Sequence, residues 1–188
     1  MKSADYLLGL LAIISGLAIA DMVASLHHLL ISRRKVRWDW LAPVAAAYVF
    51  LMIVFSWGIS YQAFNKAIFN PPVWVFIVTL GQLVAIYLAA RTSLPDDLSG
   101  EDYDLAAYYG RVSRFIWGSV ATCYALLLGL SVAYRGYETT MIERWSVLAV
   151  FVPVLALAAF RQRAVHRILV PALLIFFVAY AFPRPLLG

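Results

Sequence analysis

The chain has 188 residues, of which 64% are hydrophobic, 15% aromatic and only 13% charged. Water-soluble domains are about half apolar and a quarter charged, so this composition excludes an ordinary soluble enzyme or binding module. The net charge of +5 would suit nucleic acid, but the basic residues fall between long apolar blocks. There they report membrane topology and contact with anionic lipid headgroups, and no nucleic-acid partner is expected.

The first apolar run, Tyr6–Ile31, is about 26 residues long, enough at about 1.5 Å per residue to cross a hydrocarbon core of roughly 30 Å. Lys2 and Ala18-Ile19-Ala20 outline a signal peptide, but Asp5 and the continuation to Ile31 favour an uncleaved span. Asp21 lies inside this run. A carboxylate there costs about 2.5–3.5 kcal/mol on insertion scales, which makes it a functional candidate by default. At about 100° per residue, Asp21, Ser25, His28 and Ser32 share one side of the helix. Gly16, Ala20 and Ala24 form a small-residue row beside it that would admit another helix, so the polar side is expected to turn inward. By helical rise Asp21 is expected near the midplane, about 15 Å from the end of the run, with no cation at its depth. Ser25 would link it to His28, and Gln82 or Thr79 of the third span would be its interhelical partner.

Five further spans follow, at about Leu41–Tyr61, Val73–Ala90, Phe115–Tyr134, Trp145–Phe160 and Ile168–Phe182. The last two are short, and the rival to six spans is five with a re-entrant hairpin. Pro43 falls in a first helical turn, Pro153 is interior, and Pro171 is expected near the start of the last helix. The third connection carries Asp96, Asp97, Glu101, Asp102 and Asp104, whose spacing does not match a calcium loop. Pro95 is expected to end one helix and Ser99 to cap the next, with the acidic residues pairing with the basic first loop. Trp38, Trp40, Trp74, Trp117 and Trp145 all fall near span ends and read as an interfacial belt.

Ten Lys and Arg fall in the odd-numbered connections and five on the other side, which predicts that both termini are external. His27, His28 and His166 do not converge on one ion by spacing, so neither a metal nor a cofactor is expected; His166 reads as an interfacial loop residue. H-E-x-x-H, G-x-S-x-G and P-loop motifs are missing.

The stretch Gly16–Leu41 carries Asp21 and His28 on an apolar helix, then Arg33-Arg34-Lys35-Val36-Arg37 and Trp38-Asp39-Trp40. It resembles a group of uncharacterised small multi-pass bacterial inner-membrane proteins. That resemblance implies a bacterial plasma membrane and no activity.

The sequence therefore predicts one all-α domain over residues 1–188, a polytopic bundle of about six transmembrane helices contacting membrane lipids. Two functions fit it. One is a small transporter or channel-like bundle in which Asp21, with Ser25 and His28, binds a proton or solute. The other is a non-catalytic accessory or scaffolding subunit docking a second copy or another membrane protein.

Overall fold

Within hydrocarbon every backbone N–H and C=O must be satisfied inside its own segment, so the apolar blocks have little choice but to become helices. The computed structural model describes residues 3–31, 36–64, 72–96, 103–133 and 141–181, and it is an all-α bundle. The helices are α1 (Ser3–Ile31), α2 (Leu41–Phe64), α3 (Val73–Ser93), α4 (Leu105–Ala133), α5 (Met141–Ala159) and α6 (Arg163–Ala181). Five of them, α1 to α4 and α6, are long and apolar enough to cross a membrane. The apolar part of α5, Val147–Ala159, is shorter. It spans about 20 Å, against a hydrocarbon thickness of roughly 30 Å. The chain is thus an integral membrane protein, with six helices among the described residues and α5 the odd one. Its last helix begins earlier than expected, so Pro171 lies well inside α6 and not near its start.

Helices α3 and α4 form the central hairpin, with α1 and α2 against α3, α5 against α4, and α6 against α2. The core between α2, α4 and α6 is aromatic. Tyr48 lies against Trp117 and Phe177, each at 5.6 Å between ring centroids, and Phe55 continues the stack onto Phe177 at 5.3 Å. Trp117 is fully buried, which corrects its assignment to an interfacial belt. Trp38, Trp40 and Trp74 do remain exposed at helix starts, while the side chain of Trp145 lies outside the described residues.

Trp117 is buried because its one polar atom has a partner. Its indole N–H donates to the Tyr109 hydroxyl at 2.8 Å, and that hydroxyl lies 2.8 Å from His166 Nδ1. His166 Nε2 lies 2.9 Å from the Phe160 carbonyl, which can only accept. The chain of donors then runs one way, from indole to hydroxyl to imidazole to carbonyl. His166 is therefore no loop residue. It sits on α6, only 2% exposed, and ties α4 to the α5–α6 turn.

The connections at this end are held by carboxylates. Asp39 Oδ1 accepts the Leu41 N–H at 3.1 Å at the start of α2. Asp104 Oδ1 accepts the N–H groups of Ala106 at 2.8 Å and Ala107 at 3.1 Å, so Asp104 caps α4. The expected cap Ser99 and the acids Asp97, Glu101 and Asp102 lie outside the described residues. Two short strands, β1 (Val36–Arg37) and β2 (Tyr103–Asp104), pair in parallel and set Arg37 against Asp104 at 3.8 Å. The basic first loop and the acidic third connection thus meet within one chain.

Two outcomes follow. Tyr109→Phe should lower the melting temperature in detergent, because it leaves the Trp117 indole and a His166 nitrogen unpaired at a cost of about 1–3 kcal/mol. The Ala107 and Ala106 amides, with Arg37 and Arg163, hold the Asp104 carboxyl below its ordinary value. A depressed folded-state pKa contributes stability at neutral pH that is lost as pH falls through it. Asp104→Asn should therefore be less stable than the parent protein at neutral pH, with the difference in thermal melts shrinking as acid carries the pH below the ordinary carboxylate range.

Candidate functional site

A carboxylate on a lipid-spanning helix needs a partner, and the structure supplies two for Asp21. The Tyr87 hydroxyl donates to Asp21 Oδ2 at 2.9 Å, and Arg91 Nε lies 3.8 Å from the same oxygen. Both partners belong to α3, where residues 87 and 91 share a face one turn apart. This corrects two expectations. A cation does reach Asp21, and the hydrogen bond comes from Tyr87 and not from Gln82 or Thr79. Gln82 is hydrogen-bonded to the buried Cys123 thiol, and Thr79 donates to the Val75 carbonyl of its own helix at 2.8 Å.

The contact also fixes a level. Helix α3 runs only two residues past Arg91, whereas α1 runs ten past Asp21, about 15 Å. Asp21 therefore sits level with the end of α3 and not at the middle of the bundle.

The chain after α3 completes the cluster. Leu94 is extended (φ −128°, ψ 149°), as a residue before proline prefers to be. Leu94 and Pro95 are buried, and this brings Asp96 back under the helix end. Asp96 Oδ2 lies 2.5 Å from an Arg91 terminal nitrogen, and its other oxygen accepts a hydrogen bond from Ser25. Ser25 thus joins the site through Asp96. It does not bridge Asp21 to His28, because His28 is exposed beyond the cluster with its ring 6.2 Å from that of His27.

The faces of α1 explain this arrangement. Its buried line is Leu11, Ser15, Ala18, Met22, Ser25 and Leu29. Asp21 stands about 80° to one side of that line, so its side chain is 33% exposed. Gly16, Ala20 and Ala24 lie on the opposite side and are all exposed, and nothing comes within 4 Å of a Cβ placed on Gly16. The small-residue row does not receive a neighbouring helix of this chain, contrary to the inward turn expected from it.

Two carboxylates share one guanidinium. Asp96 holds it at short range and Asp21 at long range, and both sites are part-exposed. Exposed pairs of this kind contribute at most about 1 kcal/mol, so the cluster orients α1 on α3 more than it stabilises the fold. Arg91 and Asp96 were legible only as loop charges. The signal that could have found them is topological: α1 and α3 run parallel, so a carboxylate before the end of one can meet an arginine at the end of the other.

Arg91→Gln should raise amide hydrogen exchange in the stretch from Asp21 to Ile31, by up to about fivefold, while leaving exchange in α4 unchanged. Comparison with protein families, with curated proteins and with solved structures finds no match to this chain.

Proposed function

We propose that the protein is a small transporter or channel-like bundle in which Asp21 reversibly binds a proton or a solute. The observation that carries this reading is the charge count of the cluster. Among the described residues, Asp21 and Asp96 bring two negative charges to one Arg91, and Ser25 and Tyr87 add hydrogen-bond donors but no charge. At the edge of a low-dielectric layer, a cluster one positive charge short favours taking up a proton or a cation. Asp21 is the member free to do so, since its ion pair is the long one and a third of its side chain is open. In this reading both termini are external, and the end carrying Arg37, Arg91 and Arg163 faces the cytoplasm of a bacterial inner membrane.

A second reading, a non-catalytic accessory subunit, rests on a different observation. The Gly16–Ala20–Ala24 row faces away from the bundle and would let a transmembrane helix of a partner approach closely.

Purified protein in sealed vesicles, with a pH-sensitive dye inside, separates the two. A proton flux that Asp21→Asn abolishes, at unchanged melting temperature, supports the first reading. Equal loss of folding and flux makes Asp21 structural. No flux from the parent protein, together with a stable dimer or complex in native mass spectrometry that Ala20→Leu breaks, supports the second.

A further inference from the structure

An open depression of about 440 Å³ lies at the arginine-rich end of the bundle, away from Asp21. Its size is within the roughly 300–1,000 Å³ typical of small-molecule sites. Arg37 reaches it from β1, and Arg163 and Arg167 reach it from the first two turns of α6, where a spacing of four sets them side by side. The acids in the same depression, Asp39 and Asp104, are already committed. Each gives one oxygen to capping a helix and leaves the other at long range from an arginine, at 3.7 Å for Asp39–Arg163 and 3.8 Å for Asp104–Arg37. Arg167 has no carboxylate within 4.0 Å among the described residues.

Three guanidinium groups with loose or absent partners line one open depression, the donor set that suits a phosphate group. Arginine presents a planar fork that bonds two phosphate oxygens at once. The rim says where that phosphate comes from. Trp38 and Trp40 also line the depression and are 47% and 49% exposed. Indoles with an apolar body and one donor settle at the headgroup level of a bilayer. The depression opens where α2, α4 and α6 begin, which is the end of the membrane-spanning bundle.

We infer that this depression binds the phosphate of an anionic lipid headgroup, held by Arg37, Arg163 and Arg167 and flanked by Trp38 and Trp40. This site is independent of Asp21 and of any transport activity. A bound headgroup would join the α1–α2 connection to the start of α6, two segments already bridged by the loose Asp39–Arg163 ion pair.

The test is native mass spectrometry of the full chain in detergent, titrated separately with phosphatidylglycerol, phosphatidylcholine and inorganic phosphate. The expected result is retention of phosphatidylglycerol over phosphatidylcholine. Arg167→Gln should weaken it about fivefold, and the Arg163→Gln/Arg167→Gln pair about 30-fold. Arg167 is exposed and makes no ion pair within the described residues, so the single variant should keep the parent melting temperature. Arg161→Gln, an exposed arginine at the same end but outside the depression, should leave binding unchanged. Equal retention of the two lipids, or equal weakening by Arg161→Gln, would overturn the site. Inorganic phosphate that displaces the lipid at equal concentration would overturn the lipid assignment in favour of a soluble phosphate.

Discussion

The structure depends on one constraint: polar groups brought into an apolar bundle must find partners inside it. Every ion pair among the described residues lies toward one end, where α1, α3 and α5 finish and α2, α4 and α6 begin. The carboxylate of Asp104 caps α4, that of Asp39 accepts the first amide of α2, and those of Asp21 and Asp96 share Arg91. The Trp117–Tyr109–His166 chain follows the same rule by hydrogen bonds between side chains, which allows a large indole to be fully buried. Farther along the bundle, the Tyr48 and Tyr124 hydroxyls satisfy each other at 3.0 Å.

That rule divides the labour between the faces of α1. Its buried line packs against α2 and α3, and its flank carries Asp21 to the Tyr87–Arg91 pair. Ten residues of helix then run on past this contact, with His27 and His28 exposed. The opposite face stays small and uncovered. One helix therefore presents a charged clasp on one side and a smooth face on the other, and both functional readings draw on it.

Much of the architecture was legible. Helical class and the membrane setting follow from apolar run length, and Pro95 marks the end of α3 because the residue before a proline resists helical geometry. The meeting of the basic and acidic connections was legible too, as a consequence of both lying on one side. The site was legible only in part. Asp21 could be singled out because charge in an apolar run is costly, but its partners were hidden. Tyr87 lies inside the third apolar run with nothing to single it out, and Arg91 counted only among the charges of the connections, since periodicity on one helix carries no information about which neighbour it faces. His166 was misread because the start of α6 reaches back into an arginine-rich stretch that hydropathy assigns to a loop.

The sequence by itself determined a multi-pass helical membrane protein with its charges gathered between the spans, because transfer free energies are summed along the chain and need no knowledge of neighbours. Tertiary structure alone decided which polar groups meet. Pairing Asp21 with Tyr87 and Arg91, seating Ser25 on Asp96, and leaving Gly16, Ala20 and Ala24 outside all depend on the rotation of α1 about its axis. That rotation is set by how side chains of different helices fit together, and no single helix encodes it.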